Sequence, residues 1–389
     1  VLSVLAQQDA IPQAALLLEN TQHPTSVCKR VHMSQVDTPF ALPERPPVTR
    51  IRHVRTADLL RPSGPRTQPL RGFEDDFVDI VDYIIRITHQ IWVDRGVGRI
   101  YDTYDANCVV YSALGTIRSV EDVVANTLHS VAGTGDGESH HLNVAWSGDE
   151  DEGFYTSHLG FAYATNTGPT PFGPPTGRRT GRFFVADCIS KDNRIHTEWL
   201  MRDNGAAVRQ MGFDLHEVAR RLAASPAMEQ PTLAVPTRLN GQAVRDPYDG
   251  PRDTVHGWIQ HHFDLWNMRR FDHFALHYAP GVIAHWCGGR TAQGLRNVTA
   301  LILQLLASLP TGTIRVEHVS WSEETDGVIV AARWTLEGWT RAGGMLGDVP
   351  AGRPASVMGS THFRFRDGMI VEEWTIFDEV GTLVQVYRA

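Results

Sequence analysis

From residue 77 onward the apolar positions follow two periods in turn. Phe77, Ile80, Val81, Ile84, Ile85 and Thr88 recur at the three-and-four spacing of an amphipathic helix, and Trp258, His262, Leu265 and Trp266 repeat that spacing later in the chain. A short strand is expected at Cys108–Ser112 and again at Gly281–Trp286, with a second helix over Val120–Val131 and over Leu295–Leu309. Three long strands follow each time: 140–147, 153–164 and 181–201, then 313–322, 327–340 and 355–377. The last of each set is broken at Lys191-Asp192-Asn193 and Arg366-Asp367-Gly368, where the D-N and D-G pairs are strong hairpin signals. Helices first and an antiparallel sheet last define an α+β chain.

This order occurs twice because the sequence repeats itself. His89-Gln90-Ile91-Trp92 lies over Phe263-Asp264-Leu265-Trp266 at an offset of 174, which also matches Tyr104 with Tyr278 and Tyr111 with His285. After one inserted residue the offset becomes 175. It then matches Trp146 with Trp321, His158 with Arg333, Asp187 with His362, Glu198-Trp199 with Glu373-Trp374, and Asp203 with Asp378. The expected division is an N-terminal extension (1–70), a first copy (71–225), a proline-bearing linker (226–250) and a second copy (251–389).

Residues 1–70 hold nine of the 22 prolines and none of the ten tryptophans. Gln7, Gln8 and Asp9 interrupt the early apolar run and no basic cluster precedes it, so a secretory signal is not expected. Met33 is a plausible start. Residues 1–32 are expected to contribute nothing to the fold, and Pro43 to Arg71 to form an extended arm over the surface.

Composition narrows the function. A formal charge of −8 without a basic run argues against a nucleic-acid partner, and no apolar run is long enough for a membrane span. The four cysteines lie far apart, which excludes a zinc ribbon or disulfide scaffold and suits a reducing cytoplasm. His140-His141 and His261-His262 are adjacent pairs without ligand spacing, so no metal site is expected. The glycines at 133–137 and 343–344 read as loops, so no dinucleotide or other cofactor is implied.

The run Pro174-Pro175-Thr176-Gly177-Arg178, followed by Glu198-Trp199, Asp203 and Gln210-Met211-Gly212, resembles the SnoaL-like polyketide cyclase family. Gly352-Arg353, Glu372-Glu373-Trp374, Asp378 and Gln385 form a looser second version. The resemblance implies two tandem nuclear transport factor 2-like cones, each a curved antiparallel sheet wrapped around helices. Ketosteroid isomerase, scytalone dehydratase and limonene epoxide hydrolase share that fold, so fold alone does not specify a reaction.

The resemblance also implies that Asp203 and Asp378 act as acid and base. A carboxylate desolvated beside Trp199 or Trp374 would suit proton abstraction next to a carbonyl; the alternative is a structural carboxylate capping the strand end or pairing with arginine. His362 and His285 are the expected partners of Asp378, against Asp187 and Tyr111 in the first copy. His158 and Arg333 are further polar candidates. Trp199, Trp374, Trp286, Trp334 and Trp339 are expected to line the cones, whereas Trp92, Trp266, Trp146 and Trp321 read as shared core.

The leading expectation is a cofactor-independent cyclase, isomerase or dehydratase acting on a hydrophobic carbonyl-bearing or cyclic small molecule. The second copy is expected to be the catalytic cone, and the two cones to form an intramolecular pseudo-dimer, with further homodimerisation left open. A non-catalytic small-molecule binder or scaffold, and an epoxide- or ester-type hydrolase, are the competing readings.

Overall fold

Two hairpins set the register of the sheet. Asp192 and Asn193 adopt φ of 50° and 65°, and Asp367 and Gly368 adopt 51° and 73°. Two successive left-handed residues make the tight turn that matches strand twist, as the D-N and D-G pairs predict. In this computed structural model the described residues are 38–62, 64–226, 248 and 250–389. Residues 1–32 and most of the 226–250 linker lie outside them.

The arm holds a short helix α1 (Thr56–Leu59), followed by α2 (Ile80–Trp92), α3 (Arg99–Thr103), β1 (Tyr104–Ser112), β2 (Gly115–Ile117) and α4 (Val120–Ala132). Four strands come next, β3 (Glu138–Asp149), β4 (Gly153–Thr165), β5 (Arg179–Lys191) and β6 (Arg194–Arg202), then α5 (Asn204–Met211) and α6 (Leu215–Ala224). The second passage runs α7 (Val255–Met268), β7 (Tyr278–Trp286), β8 (Arg290–Gln293) and α8 (Leu295–Ser308). It ends with β9 (Thr313–Glu324), β10 (Gly327–Trp339), β11 (Pro354–Arg366), β12 (Met369–Phe377) and α9 (Glu379–Arg388).

All strands join one 12-stranded sheet in the order β2-β1-β6-β5-β4-β3-β9-β10-β11-β12-β7-β8. Read outward from the β3–β9 junction, both halves follow the same order. The junction pairs Trp146 with Trp321, the two positions that the sequence repeat already matches. A residue paired with its own counterpart marks a local twofold axis.

Side chains on a strand alternate between faces, and the two faces have separate cores. The inner face of the first half packs Val144, Trp146, Phe154 and Cys188 against Ile80, Ile84 and Ile91 of α2. The outer face carries Ala145, Leu159, Val185 and Met201, which join Ile329, Ala331, Trp374 and Ile376 of the second half in one apolar cluster. The sheet therefore closes its outer faces against each other.

Two expectations are corrected. The arm is not confined to the surface: Ile51, Leu59 and Leu70 are buried in the core of the first half. They are too widely spaced in sequence to show a period. The arm also reaches the second half, where Phe40 packs on Trp258 and Phe365 with ring centroids 6.0 and 5.1 Å apart. The repeat, in turn, loses one residue in the β9–β10 turn. Ser157 pairs with Asp187 and Ala331 with His362, so Ala331 is the counterpart of Ser157. His158 therefore matches Ala332, and Arg333 matches Leu159. A one-residue slip moves a side chain to the opposite face.

Arg45 of the arm sits on the junction. Its guanidinium lies 4.2 Å from the Trp146 ring centroid and 3.4 Å from that of Trp321. It donates to the Trp146 carbonyl at 2.6 Å and to the Trp321 carbonyl. Burial lowers its pKa to about 10, against the opposing pull of Glu323, and it stays charged at neutral pH. Arg45→Ala removes two charge-assisted bonds and both ring contacts, and is expected to cost about 2–4 kcal/mol in urea unfolding; an unchanged midpoint would contradict this role.

Candidate functional site

The alternation of strand β6 decides what the sheet offers a ligand. Glu198, Leu200 and Arg202 point to the inner face of the first half, and Trp199 and Met201 to the outer one. On β12 the inner positions are Glu373, Thr375 and Phe377, the counterparts of Glu198, Leu200 and Arg202.

Most of the residues anticipated from sequence fall outside these interiors. Asp203 and Asp378 are helix N-caps. Asp203 accepts from Ala206 N–H of α5 at 3.0 Å, and from Gly288 and Gly289 N–H of the β7–β8 turn at 2.6 and 3.1 Å. Asp378 accepts from Val380 and Gly381 N–H of α9 at 2.9 and 3.1 Å, and from Asn204 at 2.5 Å. Burial raises both pKa values to about 6. Their oxygens accept from backbone and amide donors. They tie the halves together.

His362, Asp187 and Arg333 lie on the outer face. Ser157 donates to Asp187 at 2.5 Å and lies 2.9 Å from His362 Nε2, while His362 Nδ1 meets Asn143 Oδ1 at 2.6 Å. Tyr155 also donates to Asp187, and Arg333 Nε lies 3.6 Å from it. The repeat-matched Asp187 and His362 thus meet through Ser157, sealed between the halves. Burial lowers the His362 pKa to about 3, so the imidazole is neutral there.

Arg333 also pairs with Glu317 and lies 3.9 Å above the Trp199 ring, which stacks on Tyr111 at 5.8 Å. His285 stacks on Trp374 at 5.9 Å, and its Nε2 lies 3.8 Å from Glu372. Asp378, His362 and His285 therefore occupy three separate networks. Asp187 and Asp203 likewise have separate partners. Trp199 and Trp374 face the inter-half cluster. Trp286 and Trp334 do point inward, in the second half, and Trp339 is half-buried at the end of β10.

That second interior is filled. Trp266, Trp286, Trp334, Phe263 and Phe377 are all buried there, with Trp266 and Trp286 stacked 6.1 Å apart. Glu373 accepts from Tyr278 OH at 2.6 Å, Trp286 Nε1 at 2.8 Å and Thr375 Oγ1 at 2.7 Å.

The first half diverges at these places. Ser112 stands for Trp286 and Leu200 for Thr375, so Glu198 keeps only the Tyr104 hydroxyl, which donates at 2.9 Å. Two of three donors are gone. Glu198 is 7% exposed against 1% for Glu373, and burial raises its pKa, opposed by Tyr104 and then by Arg202.

Around it, His89 stands for Phe263, His141 for Val316, His158 for Ala332 and Arg202 for Phe377. Trp334, whose ring lies where a Cβ on Gly359 would be, is replaced by Gly160, and Phe184 in place of Gly359 covers that glycine instead. Contacts link these groups: Arg202 lies 5.2 Å over Trp92, His158 meets Phe184 edge-on at 5.4 Å, and His141 Nδ1 meets His158 Nε2 at 3.0 Å. Burial pushes both imidazoles down, His158 to about 3, so both are neutral. His89, Trp92, Phe184, Ala186, Leu200 and Arg202 are half-buried, whereas Phe263, Trp266, Thr361, Thr375 and Phe377 opposite them in the repeat are buried. These first-half positions are more exposed than their second-half counterparts.

Sequence reasoning gives no catalytic or binding role to Glu198, Arg202, His89, His141 or Phe184. Their signal was the contrast between copies at matched inward positions, which needs the face of each strand to be known. No cluster of three or more metal-ligating side chains occurs among the described residues, and no helix among them is long and apolar enough to cross a membrane.

Residues 258–386 match the SnoaL-like polyketide cyclase family. The match lies in the second half, whereas the resemblance drawn from sequence extends over both. No curated protein matches the chain. Among solved structures, IdmH from Streptomyces antibioticus is 26% identical over 32% of this chain and 91% of its own, with a TM-score of 0.27. A SnoaL-like polyketide cyclase from Agrobacterium tumefaciens is 21% identical over 33% and 94%, with a TM-score of 0.28. TsrD from Streptomyces laurentii is 14% identical over 34% and 94%, with a TM-score of 0.31. At these scores the likenesses say nothing about function.

Burial raises the Asp187 pKa from 3.8 to about 6. The folded state therefore holds this proton more tightly than the unfolded chain, and that stabilisation is lost as pH rises from about 4 through about 6. Asn cannot ionise. The stability of Asp187→Asn relative to the parent should rise by about 3 kcal/mol across that window and level off above it, read from urea midpoints at pH 4, 5, 6 and 7.

Proposed function

We propose that the chain comprises two tandem SnoaL-like cones, residues 71–225 and 251–389, paired within one chain as separate subunits would pair. The first is a cofactor-independent acid–base enzyme of the cyclase, isomerase or dehydratase kind, acting on a hydrophobic carbonyl-bearing or cyclic small molecule. This reverses the expectation that the second copy is catalytic.

The contrast between Glu198 and Glu373 carries the reading. A carboxylate held by three donors is a structural group: its lone pairs are occupied and its position is locked. One held by a single phenol, in a low-dielectric interior that raises its pKa, can take a proton from a substrate and return it. Abstraction next to a carbonyl needs such a base against an apolar wall, which Leu200, Ala186, Trp92 and Phe184 supply. Tyr104 orients Glu198 by donating to one oxygen and leaves the other for the substrate proton. The filled interior of the second half favours a supporting role for that cone, which presents Gly288 and Gly289 to Asp203.

Protein-catalysed exchange of the α-protons of 2-tetralone in D2O tests this without the natural substrate. Exchange should exceed the buffer rate and rise with pH as Glu198 ionises above the usual carboxylate range. It should fall about 10²- to 10⁴-fold in Glu198→Gln and persist in folded Glu373→Gln. Exchange no faster than buffer, or undiminished in Glu198→Gln, would refute the assignment.

A further inference from the structure

Arg202 is the least satisfied charge in the first interior. Among the described residues no hydrogen bond or ion pair reaches its guanidinium, which lies over the Trp92 face at 5.2 Å. Burial lowers its pKa, while Glu198, Tyr104 and Asp378 pull it back up through the field alone. The neighbouring Arg182 is already engaged, donating to the Asn204 side-chain oxygen. A guanidinium half-withdrawn from water without a paired anion carries a desolvation cost. The second half avoids that cost by placing Phe377 at the matched position, buried against Trp334 with centroids 6.3 Å apart.

From this we propose that the first cone takes a planar cyclic substrate bearing a carboxylate, and that Arg202, with Trp92 beneath it, binds that carboxylate. The inference rests on the first cone being the working one, and it adds the substrate's charge class to that reading. The guanidinium fork matches a carboxylate with two parallel N–H donations, and Trp92 keeps the cation in place from its other side.

Glu198 and Arg202 are four residues apart on one strand face, about 13 Å between Cα atoms at the rise of a β-strand, so a base contact at Glu198 and a charge contact at Arg202 fall on different parts of one bound molecule. The interval suits a fused-ring skeleton with its acidic carbon at Glu198 and its carboxylate at Arg202. One unengaged guanidinium balances one negative charge, which fits a carboxylate rather than a phosphate dianion. Phe184, Leu200 and Ala186 provide the apolar surface between.

Calorimetric titration of the full chain with 2-naphthoate and with the neutral isostere 2-naphthamide tests the proposal. The carboxylate should bind at least tenfold more tightly. Arg202→Gln should erase that preference while leaving amide affinity within about twofold, with far-UV circular dichroism unchanged. Arg202→Lys should restore part of it. Should Arg202→Gln not fold, Trp92→Leu, which removes the platform and keeps the cation, should weaken naphthoate binding more than amide binding. Equal affinity for the two probes, no binding of either, or a preference that survives Arg202→Gln would overturn the proposal. Glu198→Gln should keep or strengthen naphthoate binding. Failure of tetralone exchange alongside a naphthoate preference lost in Arg202→Gln would remove the acid–base role and leave the ligand class standing.

Discussion

The whole sheet turns on one backbone pairing, Trp146 against Trp321 at the β3–β9 junction. Because the pair consists of equivalent positions, everything on one side of it has a counterpart on the other, and the two outer faces are brought together. Arg45 fastens the junction from a segment outside both repeats, satisfying two carbonyls at the axis. Once those faces meet, polar groups on them gain by pairing away from water, although Asn143 Nδ2, Ser320 Oγ and Ser360 Oγ have no partner among the described residues. That gain accounts for the chain through Asn143, His362, Ser157 and Asp187, and for Arg333 reaching Asp187 and Glu317. The caps Asp203 and Asp378 follow the same rule at the ends of β6 and β12: each serves its own helix and a donor from the other half.

The two interiors fill matched positions differently. In the second, Trp334 over Gly359 and Trp286 against Trp266 leave Glu373 fully paired. The first reverses the large and small partners, with Phe184 over Gly160, and then replaces apolar fillers with histidines and Arg202. Such substitutions are unfavourable for packing, since buried imidazoles must stay neutral and a lone guanidinium must stay partly hydrated. A half whose own core is complete, and which shares a large apolar cluster with the other, can carry that loss. Local conflicts with packing rules single out the first interior as the candidate site.

Much of the architecture was legible before any coordinates. Helical spacing at Ile80, Ile84 and Ile91, alternation along the long strands, the D-N and D-G turns and the doubling of the pattern determine element order, because each depends only on neighbours along the chain. The site was less legible. Asp203, Asp378, His362 and Trp199 stood out as conspicuous chemical groups near matched motifs, yet the first two cap helices and the others face the junction. Glu198 and Trp199 are adjacent in sequence and were weighed as one motif, although pleating sends them to opposite faces. The residue lost between β9 and β10 similarly turned an apparent match of His158 with Arg333 into one of opposite faces. Sequence alone thus determined the elements and their order, which are local and periodic properties. Tertiary structure alone decided which face of each strand became an interior, which carboxylate kept a single donor and which inward arginine has no ion pair among the described residues. Those outcomes depend on strand register and on the packing of halves more than a hundred residues apart, and no local pattern encodes either.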